Sequence, residues 1–206
     1  MDSAQRPFVV LCASKKWVGM VLHEESDAPI IEACQQGDRD AFASLFEAHR
    51  DKVYSIALRF SGDRATALDI AQDVFVKLLT RIQEYHGGAR FETWLYRVTV
   101  NACLDHQKRG RRLLPFLEET IDAVLPARET TLAGLLREEA QDYVREAVAK
   151  LSPEHRVVII LRYTQDLSYE EIAEVLACSR GTVASRLNRA HKILERRLKR
   201  FRYGQA

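Results

Sequence analysis

Apolar residues recur along this chain at spacings of three and four, the period of a helix with one buried face. The first such stripe is Phe42, Leu45, Phe46, His49, Val53, Ile56 and Ala57, in a helix expected to run to about Phe60. Gly37 reads as the C-cap of the turn before it and Asp38 as its N-cap. Ser61-Gly62-Asp63 interrupts the pattern. The next helix is expected to turn Leu68, Ala71, Phe75, Leu78 and Ile82 inward and Asp69, Gln72, Asp73 and Lys77 outward, with His86-Gly87-Gly88 ending it. A further helix from about Phe91 sets Trp94, Leu95, Val98 and Ala102 inward. It closes on Lys108, Arg109, Arg111 and Arg112, more positive charge than a helix C-terminus needs.

From about Leu113 to Gly134 the periodicity lapses, with Pro115, Pro126 and Gly134 as breakers. It then resumes. Leu135, Tyr143, Val144, Ala147 and Leu151 form one stripe. Ser152-Pro153 opens a helix holding Val157, Val158, Ile160 and Leu161. Ser168-Tyr169-Glu170-Glu171 reads as a capping box ahead of Ile172, Ala173 and Leu176. Ser179 is placed to N-cap a long last helix that buries Val183, Leu187, Ala190 and Leu194.

The expected fold is therefore all-α: two small helical domains joined by a flexible linker. The boundaries read as an N-terminal extension at 1–29, a first domain at 30–112, a linker at 113–134 and a second domain at 135–206. A length of 206 residues accommodates two such domains. The longest apolar stretches, Phe8–Ala13 and Val157–Leu161, fall far short of the roughly 18–20 residues that span a bilayer. Cys12, Cys34, Cys103 and Cys178 are widely separated, without metal-ligand spacing, and read as free thiols of a reducing cytoplasm. No metal or cofactor is expected. No Gly-rich phosphate loop, His/Glu metal pair or nucleophile motif is present, so neither catalysis nor a small-molecule substrate is expected.

Net charge is only +2, which by itself gives no sign of nucleic acid. The distribution changes that. From Arg180 onward nine basic side chains stand against one acid, Glu195, a local charge of +8. Two helices joined by about three residues, the second basic outside and apolar inside, form a helix-turn-helix pattern. The first helix braces, and the second sets its N-terminal turn in the major groove. Ser179, Arg180, Thr182, Ser185, Arg186 and Arg189 are the candidate contacts, since arginine reads guanine bidentately and hydroxyls bind phosphate. A bare helical hairpin with a solvated face would give the same spacing, but not the same charge. Arg97, Asn101, Lys108, Arg109, Arg111 and Arg112 form a second basic set. Aromatics beside arginines can stack on single strands. Trp94, however, sits at core spacing and is expected to be buried, which leaves Arg97 and Asn101 as the better contacts.

The segment Asp69–Lys77, followed by Phe91–Asp105 and the Lys/Arg cluster, resembles region 2 of bacterial sigma factors. Leu151–Arg162, Leu167–Leu176 and Ser179–Leu187 resemble region 4. Both, in this order with a short linker, resemble the extracytoplasmic-function (ECF) branch of the sigma-70 family, over about 30–198. The resemblance implies binding to core RNA polymerase and promoter-specific initiation. Asp69, Gln72, Asp73 and Lys77 would dock on the clamp helices of the largest subunit, and the second domain on the flap region. Arg97, Asn101 and the cluster through Arg112 would hold the melted −10 element; the helix from Ser179 to Arg189 would read the −35 element. Anti-sigma control is implied, with the chain cytoplasmic or held at the inner membrane through that partner. The linker, carrying Glu118, Glu119, Asp122 and Glu129, is either a strand for a basic channel of polymerase or a solvated tether.

Two positions depart from the family pattern. Ala177 stands where the turn glycine is usual, and Ala184 where many members carry lysine. Residues 1–29 match nothing in the pattern. Met20 suits a family start better, so the upstream part is an over-long start, a disordered arm or a regulatory extension. The alternative function is a stand-alone helix-turn-helix regulator whose first domain senses or dimerises.

Overall fold

The computed structural model describes residues 27–87, 90–113 and 132–203. Those residues are helical, without strands. The helices are α1 (Ala28–Gln35), α2 (Arg39–Ser61), α3 (Arg64–Arg81), α4 (Phe91–Leu113), α5 (Leu132–Ala149), α6 (Pro153–Thr164), α7 (Tyr169–Val175) and α8 (Arg180–Tyr203). A 3-10 turn, Ile82–Glu84, follows α3. The expected N-terminal extension and linker fall largely outside the described residues, as do Cys12 and Met20.

Local chemistry sets most boundaries. The Asp38 carboxylate accepts from the backbone amides of Asp40 and Ala41 at the start of α2. Gly62, at φ 79, ends that helix in a left-handed turn that costs glycine little. Asp63 then caps α3 by accepting from the Thr66 amide at 2.7 Å. The expected capping box is present: Glu171 N donates to Ser168 Oγ and Ser168 N donates to Glu171 Oε2. Ser152 precedes α6 without a side-chain cap bond; its hydroxyl pairs instead with His155 Nδ1 at 2.7 Å.

Several expectations need correction. α3 ends at Arg81, ahead of His86-Gly87-Gly88, because the chain tightens into the 3-10 turn. The Gln35 side chain holds that turn by donating to the carbonyls of Ile82 and Tyr85. Leu68 is 60% exposed rather than inward. The buried face of α3 is Ala67, Ile70, Val74, Phe75 and Leu78, and Leu68 lies about 100° away from Ala67 around the helix. Val144 on α5 is exposed, while Ala147 and Val148 take the inward positions. Gly134 lies inside α5, which starts at Leu132, so it does not break the helix. The Leu135 side chain lies outside the described part.

One apolar cluster runs from Ile31 to Ala190 and joins both halves of the chain. α2 packs against α3, α4 and α6, and α6 packs against α8. Tyr85, Phe91 and Trp94 form a ring cluster with centroids 5.5–6.0 Å apart. Trp94 is thus part of the packing, as its spacing predicts. Tyr96 is 4% exposed and unavailable for base stacking.

Candidate nucleic-acid and polymerase interface

The helix-turn-helix is built by α7 and α8. Between them Ala177 adopts φ 48, the left-handed conformation that its glycine-like position demands. Ser179 caps α8: the Thr182 amide donates to Ser179 Oγ at 3.1 Å, and the two hydroxyls lie 2.9 Å apart. Ser185 turns its hydroxyl back to the Thr182 carbonyl. Val183, Leu187 and Ala190 anchor the inner face. Ser179, Arg180, Ser185 and Arg189 are exposed; Thr182 and Arg186 are half-buried. Two of the arginines are held by acids of the same half: Arg180 by Glu170 at 2.9 Å and Arg186 by Glu154 at 3.4 Å. With their acids well exposed, such pairs contribute little to stability.

On α4, Arg97 and Asn101 share one exposed face a turn apart. Arg97 Nη2 donates to the backbone carbonyl of Glu174, on α7, at 2.6 Å. Further along, Lys108 pairs with Asp105 at 3.6 Å and Arg109 with Asp73 at 3.5 Å. Arg111 and Arg112 continue the helix towards its end at Leu113. The Arg109–Asp73 pair makes the basic end of α4 continuous with the outer face of α3. There Asp69 and Gln72 are exposed, and Asp73 and Lys77 half-exposed.

Three more side chains lie on this outer face: Leu68, which was expected inward, and Val76 and Leu79, which were given no placement. Leu68, Val76 and Leu79 are 60%, 54% and 59% exposed. With Gln72 they form an apolar ridge beside Asp69. α3 carries more apolar residues than one stripe needs, and that surplus was the available signal.

Burial shapes the local titrations. His49 is packed against Phe91, with Nε2 3.3 Å from Asp27, and desolvation holds its pKa below the ordinary 6.5. Desolvation also pushes the Cys103 thiol up to about 12, which keeps it unreactive. Cys34 and Cys178 are free thiols as well. Among the described residues no group of three or more His, Cys, Asp or Glu side chains could hold a metal, and no helix is long and apolar enough to cross a membrane.

Comparison with known proteins matches two family models to two parts of the chain. A family model described as Sigma-70 region 2 matches residues 45–113, and one described as Sigma-70, region 4 matches residues 141–194. The RNA polymerase sigma-H factor of Pseudomonas aeruginosa is 33% identical over 187 residues, covering 86% of this chain and 96% of that protein. The ECF RNA polymerase sigma factor SigW of Bacillus subtilis is 30% identical over 182 residues, covering 82% and 95%. The sigma factor RpoE of Bartonella quintana, solved in complex with the anti-sigma factor NepR, superposes with a TM-score of 0.61 at 28% identity, covering 77% of this chain and 96% of that one. With both region models matched in order and relatives aligned over nearly their full length, the chain belongs to the sigma-70 family of RNA polymerase sigma factors, in its extracytoplasmic-function group.

Proposed function

We propose that this chain binds core RNA polymerase and directs it to promoters by reading a −10 and a −35 element. The observation that carries this reading is the pairing, in one chain, of a capped basic helix-turn-helix with a separate apolar-acidic ridge on α3. A stand-alone regulator has use for the first and none for the second. In the assignment we favour, 30–112 forms the polymerase- and −10-binding domain, 113–134 the linker and 135–206 the −35-binding domain. Asp69, Gln72, Asp73 and Lys77, together with Leu68, Val76 and Leu79, dock on the clamp helices of the largest subunit. The second domain meets the flap region. Arg97, Asn101, Lys108, Arg109, Arg111 and Arg112 hold the melted −10 strand. Ser179, Arg180, Thr182, Ser185, Arg186 and Arg189 read the −35 duplex. The catalysis is the polymerase's, and the chain itself is no enzyme.

The Bartonella relative, solved with its anti-sigma factor, supports an anti-sigma partner here too. In that reading the chain is cytoplasmic, or held at the inner membrane while that partner is bound. Run-off transcription with core polymerase on a promoter library tests the proposal. Initiation that depends on both elements is expected. A polymerase-independent, two-fold-symmetric operator footprint without initiation would replace it with the regulator reading.

A further inference from the structure

Helix α8 buries Val183, Leu187 and Ala190. At about 100° per residue, Gly181, Ser185, Asn188 and Arg189 occupy one sector of about 100° on the opposite side. All four are exposed. The strip they form rises about 12 Å along the helix axis, the length of three to four base pairs. Arg180 and Arg186 stand to either side of it, tied to Glu170 and Glu154.

Two side chains of the strip are used by nothing in the fold. Among the described residues neither the Asn188 amide nor the Arg189 guanidinium has a hydrogen bond or an ion pair. Asparagine is also a poor residue for an exposed position in the third turn of a helix, where alanine, lysine or glutamate is more favourable. It does not compensate by bonding back to the backbone, as Ser185 does with the Thr182 carbonyl. Gly181 is equally unexplained by packing. Its backbone is helical, and a Cβ there would meet only Ser179 Oγ, at an ordinary 3.8 Å. The fold has room for a side chain, and glycine in a helix costs stability. What the missing Cβ permits is close approach from outside.

We propose that Asn188 is a specificity-determining residue. Its amide reads an adenine of the −35 element, on a base pair neighbouring the one read by Arg189, and Gly181 lets the start of α8 sit deep enough in the groove for both. A carboxamide sets an acceptor beside a donor, which matches N6 and N7 of adenine; a phosphate would use the donor alone. Ser185, between them, is short and turned back on Thr182, so it leaves the two longer side chains to reach outward. This rests on the −35 reading of α8 above.

The test is run-off transcription by core polymerase with each variant, on templates randomised across the −35 element and barcoded within the transcript. Wild type is expected to favour adenine at one position by about 5–150-fold, the discrimination of one bidentate pair. Asn188→Ala is expected to lose that preference and keep the others. Asn188→Arg is expected to replace adenine by guanine at the same position, a switch that a merely structural residue would not produce. Both substitutions suit an exposed helical position better than asparagine does. Gly181→Ala is expected to keep or raise the urea midpoint, yet to lower the yield from −35-dependent templates at least about fivefold, the least that one lost base contact costs. Initiation by wild type without any −35 preference would overturn the reading of α8 itself. Preferences that persist unchanged in Asn188→Ala would overturn the role of Asn188 and leave that reading standing. Undiminished yield from Gly181→Ala would remove the close approach on which that role depends.

Discussion

Arg186 of α8 reaches across to Glu154 of α6, its Nη2 3.4 Å from the carboxylate. Glu154 is well exposed, and a pair of this kind contributes about 0–1 kcal/mol. A bidentate guanine contact discriminates by about 1–3 kcal/mol, so a guanine read by Arg186 would out-compete the acid. Arg186→Ala is expected to weaken −35-dependent initiation by about 1–3 kcal/mol. Glu154→Gln is expected to strengthen it slightly. Run-off yields on templates with intact and mutated −35 elements check this. An equal loss on both templates rejects base reading by Arg186.

The ridge on α3 makes a separable prediction. Leu79→Asp removes apolar surface that the fold does not use. Surface changes of this kind alter stability by about 0.5 kcal/mol or less. Binding to core polymerase is expected to fall at least about tenfold, as for truncation of an interface anchor. Thermal melting of the free chain and titration with labelled polymerase measure the two effects. Loss of both together would make Leu79 structural.

The elements most readable in the sequence were those set by local chemistry. Asp38, Gly62 and the Ser168–Glu171 box act within a few residues of themselves, and each boundary followed from them. Helix α8 stood out because its charge is concentrated on one segment. Leu68 misled because, with period 3.6, it lies near enough to Phe75 to share a stripe on paper; only the position of α2 decides which side is inner. Arg156, Tyr96, Val100 and Cys103 were illegible for a stronger reason. Their burial depends on the other half of the chain, and no local pattern encodes that.

Ala177 holds φ 48 without being glycine. The left-handed conformation costs an ordinary residue roughly 1–2 kcal/mol, against about 0.5–1 kcal/mol for glycine's extra chain entropy. Ala177→Gly is expected to stabilise the chain by about 0.5–1 kcal/mol. Ala173→Gly, inside α7, is expected to destabilise it by about 1 kcal/mol. Urea midpoints of the two variants should move in opposite directions. A lower midpoint for Ala177→Gly would show that the turn carries no strain.

His49 predicts an acid limb of stability. Burial lowers its folded pKa below the ordinary 6.5 of the unfolded chain. The unfolded state then binds a proton first, so stability is intact above about pH 6.5 and falls as pH drops below it, until the folded pKa is passed. His191, also lowered by burial, adds to the same window. Glu92 is lowered too, but its loss begins near its ordinary 4.5, further into acid. His49→Gln should flatten the decline just below pH 6.5 and leave the lower limb. Denaturant titrations from pH 7.5 to 4 measure it, and an unaltered slope excludes His49 as the cause.

Burial of six successive residues of α6, Arg156 to Leu161, bears on how the free chain unfolds. Two autonomous domains on a tether melt independently and give two transitions. Here removal of the first half strips one face of α6 and cuts the bond from Arg156 to the Phe60 carbonyl, and removal of the second half bares the facing side chains of α2 and α4. Neither half keeps a complete interior alone, so heat should take the pair apart as one all-or-none unit, with calorimetric and van't Hoff enthalpies in agreement.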